Sequence, residues 1–309
     1  MRKMWMAMFV VVCIFTVASG TPAQDQKAPA KGPLAKTQQE YDAYKKFQSE
    51  TDWSKKAADG EQFMKDYPDS ALTGSFLLPM LVQAYEQLGN FPKTVTYAEK
   101  ALQSEQSKTT LQFLYQTLVV SYQQLNNYEK TVEYGEKMLV DDPNNTFALF
   151  VLSGVIPERI KDDDMDRQQK LDRTTTYAKR LLETTNAMQR PPQMTDDQWK
   201  QQRGQLLGGA YSSLGFVALH QKDYDEAIKQ YKQSIDLYPK DPIAFYRLGL
   251  AYSFNKKNDE AIKALAASVA MNGPDQARSY LEQIYRAKNN GSLDGLDKVI
   301  SDAKAQLKN

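Results

Sequence analysis

The chain has 309 residues, 39 of them basic and 38 acidic. That balance leaves no basic excess for a nucleic-acid surface and no acidic tail or metal sponge. Eighteen tyrosines against 15 glycines point to packed helices more than to a loop-rich enzyme.

The first element is a short apolar run. Arg2 and Lys3 precede "MWMAMFVVVCIFTVA", which ends near Ala18, and small residues follow in "SGTPAQ". A basic start, an apolar core and small residues after it read as a secretory signal peptide, residues 1–23, cleaved after Gly20 or Ala23. The run is below the ~20 apolar residues that a spanning helix needs. An uncleaved membrane anchor is the alternative. Cys13 is the sole cysteine and follows Val12, where a lipoprotein site needs a small residue. Cleavage would leave a chain with no disulfide, no thiolate nucleophile and no cysteine-ligated metal. The expectation is an exported bacterial protein, periplasmic or secreted. Residues 24–36, rich in Pro, Ala and Lys, read as a flexible linker.

From Lys36 onward, apolar residues recur three and four apart between short polar turns, which predicts helices. Strand-like alternation is absent. A divergent helix pair spans 37–70, with Trp53 in its turn and Pro68 at its end. A second pair, 75–108, turns at "LGNF", and a third, 112–145, turns at "LNNY". Their second helices, "TVTYAEKAL" (94–102) and "TVEYGEKML" (131–139), are near duplicates. A divergent fourth pair, 146–182, joins "FALFVLSGVI" to "TTTYAKRLL" across an insertion that contains "KDDDMDR". These four pairs form an N-terminal block, 37–182.

Residues 183–194 read as a junction, because Arg190-Pro191-Pro192 cannot continue a helix. Thr195, with Asp197 and Gln198, restarts one and opens a C-terminal block, 195–309. Within it "KDYDEAIKQY" and "KNDEAIKAL" share Asp-Glu-Ala-Ile-Lys with an offset of 34 residues, as do "AYSSLG" (210–215) and "FYRLG" (245–249). "ARSYLEQIYRAKNN" reads as a capping helix. Residues 292–307 read as a final amphipathic helix with Ser292 as its N-cap.

These residues resemble the tetratricopeptide repeat, a pattern of aromatic-x2-Leu-Gly-x2-Tyr, then Ala-x3-aromatic, then Pro. In 208–241 the matching positions are Tyr211, Leu214, Gly215, Ala218, Ala227, Tyr231 and Pro239. In 242–275 they are Phe245, Leu248, Gly249, Tyr252, Ala261 and Leu265, with Gly273 where Pro is expected and Pro274 next. Weaker copies place Leu78, Leu81, Tyr85, Thr94 and Ala98 in 75–108, and Tyr115, Leu118, Tyr122, Thr131, Gly135 and Pro143 in 112–145. The small residues let two helices approach, the large ones fill between them, and proline stops the second helix. The fold class implied is all-α: a right-handed α-solenoid of about six antiparallel helix pairs with C-terminal capping helices.

Chemistry has few candidates. His220 is the only histidine and lacks a partner histidine or cysteine for a metal site. It ends a first helix, at a groove edge. Asp162, Asp164 and Asp166 alternate as in calcium loops, but Arg167 stands at the sharp-turn glycine and Arg173 at the twelfth-position glutamate. No phosphate loop, nucleophile elbow or zinc-protease motif occurs. No catalytic residue, metal or cofactor is therefore assigned.

In such a solenoid the first helices line the concave face. That face should carry Phe76, Gln83, Phe113, Gln116, Val120 and Gln124 in the N-terminal block, and Phe216, Leu219, His220, Tyr246, Leu250 and Phe254 in the C-terminal block. Some family members clamp acidic C-termini with lysine and asparagine. The corresponding slots here, Pro79, Gln83, Gln116, Val120, Ser212 and Phe216, lack that clamp. The function expected is a non-catalytic protein-interaction scaffold of the cell envelope that takes a protein or peptide segment in the groove. It should not bind nucleic acid, and it should meet a membrane only if the N-terminal segment stays. Self-association is left open. The alternative is a self-assembling or membrane-tethered structural envelope protein. An enzyme is disfavoured because the groove lacks paired acid–base residues.

Overall fold

The computed structural model describes residues 34–307 apart from 105 and 162, and the expected signal peptide lies outside the described residues. Among the described residues all regular structure is helical. No described helix is long and apolar enough to cross a membrane. The chain divides between Pro143 and Asn144 into two compact units.

The first unit contains α1 (Gln38–Ser49), α2 (Trp53–Asp66), α3 (Leu78–Gln87), α4 (Phe91–Ala101), α5 (Lys108–Gln124) and α6 (Tyr128–Asp141). A π-helical turn, Thr73–Leu77, leads into α3. Each helix packs on the next, and the first helices α3 and α5 also touch. Trp53 is not in a turn, as expected, but is the first residue of α2. Asp52 caps it, its carboxylate accepting the Lys55 N–H at 2.9 Å.

The turns within pairs share one chemistry. After α3, Gly89 sits at φ +65. Its N–H donates to the Glu86 carbonyl, and the Asn90 N–H donates to the Tyr85 carbonyl, both at 3.0 Å. These two bonds satisfy the last carbonyls of the helix, and a left-handed residue is what allows both. The Asn90 side chain then accepts the Lys93 N–H at 3.2 Å and caps α4. Asn126 and Asn127 repeat the arrangement after α5. "LGNF" and "LNNY" are therefore one device in two spellings.

A second repeated device joins neighbouring pairs. The Glu61 carboxylate of α2 accepts the hydroxyls of Tyr85 (2.6 Å) and Tyr97 (2.8 Å) and the Lys93 ammonium (2.6 Å). The rings of Tyr85 and Tyr97 stack 5.4 Å apart. One pair later, Glu99 accepts the hydroxyls of Tyr122 (2.7 Å) and Tyr134 (3.1 Å), whose rings stack 5.9 Å apart. Burial raises the Glu61 pKa, but bonds from Lys93, Tyr85 and Tyr97 outweigh it and hold the carboxyl below its ordinary 4.5. A depressed folded-state pKa stabilises above the unfolded value and is lost as pH falls through the folded one. Melting followed from about pH 6 to about pH 3 should therefore show a steep acid loss in wild type and a shallower one in Glu61→Gln. Equal slopes would mean that the cluster does not report on folding.

The second unit contains α7 (Thr146–Val155), a 3-10 turn (Pro157–Arg159), α8 (Arg167–Ala187), α9 (Asp196–His220), α10 (Tyr224–Leu237), α11 (Pro242–Phe254), α12 (Asn258–Ala270), α13 (Asp275–Lys288) and α14 (Leu296–Gln306). Thr195 caps α9 reciprocally with Gln198, at 3.2 and 2.9 Å. The turns after α9 and α11 repeat the left-handed device with Lys222 (φ +62) and Lys256 (φ +59). Pro68, Pro143 and Pro239 each follow the C-cap of a second helix.

The small slots do what their size implies. A Cβ on Gly215 would stand 2.9 Å from the buried Tyr231 ring, and one on Gly249 would stand 2.5 Å from Leu265 Cγ. Ala227 and Ala261 are fully buried. By packing, α7 and α8 go with α9: α8 lies along it, and α7 meets it where Gly209 leaves room for the Phe150 ring. Segment 146–182, expected in the N-terminal block, therefore belongs to the second unit. Ser292 does not cap the last helix. That position belongs to Gly295 at φ +87, and the Ser292 hydroxyl accepts the Asp294 N–H at 3.0 Å within the preceding turn.

Candidate functional site

Within the second unit, consecutive first helices touch, α7 on α9 and α9 on α11. This places Phe216, Leu219 and His220 of α9 beside Tyr246, Leu250 and Phe254 of α11. They do not form one patch. Phe216 and His220 are half-buried, one turn apart, with ring centroids 4.5 Å apart. Leu219 packs against the core formed by Ala218, Ala227, Tyr231, Leu248 and Ala251. Tyr246 packs against the cluster of Leu265, Ala277, Leu281 and Ile284, and its ring lies 6.2 Å from that of Tyr280 on α13. The capping helix thus covers much of Tyr246, and burial pushes its phenol up to about 12. Leu250 is half-buried. Phe254 is 51% exposed, its ring 5.7 Å from that of Tyr224.

In the first unit, Phe113, Gln116 and Val120 of α5 are half-buried and Gln124 is exposed. Beside them the Thr117 hydroxyl donates to Glu86 of α3 at 3.4 Å. Burial raises the Glu86 carboxyl above the usual carboxylate range, and the Thr117 bond only partly offsets it.

Two further residues join the C-terminal face that composition did not single out. Arg247 is the only charged residue of α11. Its guanidinium lies over the Phe216 ring, 4.8 Å from the centroid, and pairs with Glu158. The Arg247 side chain is 11% exposed and that of Glu158 24%. Burial lowers the guanidinium pKa from its ordinary value, to about 10.

Glu158 belongs to the insertion between α7 and α8, which lies against α9. Ile156 and Ile160 are buried, and Ile160 clusters with Leu171 and Val217. The Arg167 guanidinium donates to the His220 carbonyl. The acidic part of the insertion is neutralised from within. The Lys170 ammonium binds Asp164 at 2.7 Å and Asp166 at 2.9 Å, and the Lys161 N–H donates to Asp164 at 3.1 Å. Asp162 lies outside the described residues. Among the described residues no group of side chains is placed to hold a metal ion.

The comparisons with known proteins agree with this geometry. A model described as TPR repeat matches residues 217–253, and one described as Tetratricopeptide repeat matches 243–275. Among solved structures, the chain resembles a tetratricopeptide repeat protein from Parabacteroides merdae. The TM-score is 0.51 at 16% identity, covering 88% of this chain and 96% of that one. It also resembles the APC/C hetero-tetramer Cut9-Hcn1, with a TM-score of 0.50 at 15% identity over 75% of this chain and 39% of that one. At such identities the likeness concerns the fold. No curated protein matches the chain in sequence. With its helix pairs, left-handed turns and Gly/Ala contacts in the matching positions, the segment 217–275 consists of tetratricopeptide repeats, set in a chain folded as consecutive packed helix pairs.

Proposed function

We propose that this protein is an exported, bacterial, non-catalytic interaction scaffold of the cell envelope, and that it takes a partner segment on the first-helix face of its second unit. Tetratricopeptide repeats generally mediate protein–protein contact. The observation that carries the reading to this face is the group Phe216, His220 and Arg247, two rings of α9 with the guanidinium of α11 laid over one of them, where two first helices adjoin. Aromatic and arginine anchors dominate the energy of protein interfaces. The basic and apolar N-terminal segment supports export, and the lone histidine supports a role without general acid–base chemistry.

The test combines fractionation with capture. The protein should occur in the envelope without residues 1–23 and should retain a protein partner from envelope extract. Phe216→Ala with Phe254→Ala should weaken that capture by about 2 kcal/mol while helix content stays constant. Unchanged capture would remove this face from the reading. Membrane retention that resists salt, together with a full-length mass, would favour the tethered structural protein, for which the apolar run at 4–18 is the observation.

A further inference from the structure

The insertion between α7 and α8 is extra to the helix pair, and its first part is packed down, with Ile156, Pro157 and Ile160 buried, while Met165 further along is fully exposed. It straps the first-helix face through Ile160 with Val217 of α9 and through Glu158 with Arg247 of α11, and Arg167, the first residue of α8, anchors its far end to the last carbonyl of α9. The Glu158 contact is the informative one. Arg247 lies over the Phe216 ring, and stacking on an aromatic face restricts its planar fork, so pairing with a carboxylate costs it less freedom. An ion pair in such a place adds little net stability over an aliphatic pair of similar volume. What it does add is selectivity for a carboxylate. Glu158 is flanked by Ile156-Pro157 on one side and Arg159-Ile160 on the other, and both isoleucines are buried.

We infer that the Phe216–Arg247 pair is a receptor for a glutamate side chain carried between aliphatic residues in a partner segment, and that residues 156–160 are its resident occupant, displaced when the partner binds. The inference rests on the reading of this face as the binding face. While the strap is seated, the apparent affinity for a partner is reduced by the small fraction of molecules in which the site is open. The strap is therefore both a brake on binding and an internal copy of the ligand.

The test uses the full chain and a labelled synthetic peptide, VIPERIK, identical to residues 155–161. Its control is VIPQRIK, and binding is read by fluorescence anisotropy. Wild type should bind VIPERIK weakly. Glu158→Ala should bind it at least tenfold more tightly. VIPQRIK should bind that variant at least tenfold more weakly than VIPERIK, and adding Arg247→Ala should abolish the gain. A folded Glu158→Ala protein that binds no better than wild type, or that binds both peptides alike, overturns the inference.

Hydrogen exchange on wild type keeps the test decisive if Glu158→Ala does not fold. The Arg159 and Ile160 amides donate to the Ile156 and Pro157 carbonyls at 3.3 and 3.1 Å. Millimolar VIPERIK should speed their exchange, and unchanged exchange counts against displacement. Because the probe is synthetic, its failure leaves partner capture standing, and failed capture leaves the peptide result intact.

Discussion

Replacing Ala227 by phenylalanine should destabilise the second unit by about 3 kcal/mol or more. Ala227 is fully buried in the cluster with Ala218, Tyr231, Leu248 and Ala251. Tyr231 is itself fully buried and lies against Gly215 with no room for a Cβ. A benzyl group at 227 has no gap to enter, so it must push α10 off α9 or force neighbouring side chains from their rotamers. Close-packed interiors resist both. For a unit of this size the loss should lower the melting temperature by roughly 6–12 °C, read by circular dichroism. Met165→Phe, at a fully exposed position in the strap, should leave it nearly unchanged. Wild-type melting in Ala227→Phe would mean that α9 and α10 do not meet in this register.

Glu158→Leu should cost about 3 kcal/mol, because it leaves the Arg247 charge withdrawn from water and without its carboxylate. The cost should vanish in the double variant Glu158→Leu with Arg247→Leu, which replaces the ion pair by an apolar contact beside Phe216. Such replacements are neutral or stabilising when the volume is kept. A double-mutant cycle in urea isolates the pairwise term. If Glu158→Leu alone were almost neutral, Arg247 would have to reach water or another carboxylate, and the strap would be held by Ile160 and Arg167 alone. The double variant also bears on recognition: it should fold well and be blind to VIPERIK, separating the role of the pair in binding from its role in folding.

Much of the fold was legible because its causes are local. A left-handed residue followed by an N-cap occupies four consecutive positions, so "LGNF" and "LNNY" announce their turns wherever they fall. Thr195 and Gln198 start α9 by the same short-range logic. The 34-residue offset brought Gly215 and Gly249, Ala227 and Ala261 into equivalent slots, and a slot has one packing role. Ser292 misled because a serine before an apolar helix satisfies the N-cap pattern equally well in a tight turn, and Gly295 alone can take φ +87 without strain.

The amino-acid sequence by itself determined that the regular structure of the described residues is helical, where the pairs turn, and which small residues sit between helices. Only the tertiary structure decided that 146–182 packs with α9, that α13 covers Tyr246, and that Glu158 meets Arg247 across 89 residues of chain. The physical reason is the range of the forces that leave a mark in sequence. Hydrogen bonds within a turn and side chains one helical turn apart recur with a period that can be read. An insertion has no period, and where it comes to rest depends on which distant side chains its charge and its two isoleucines meet when the helices have packed.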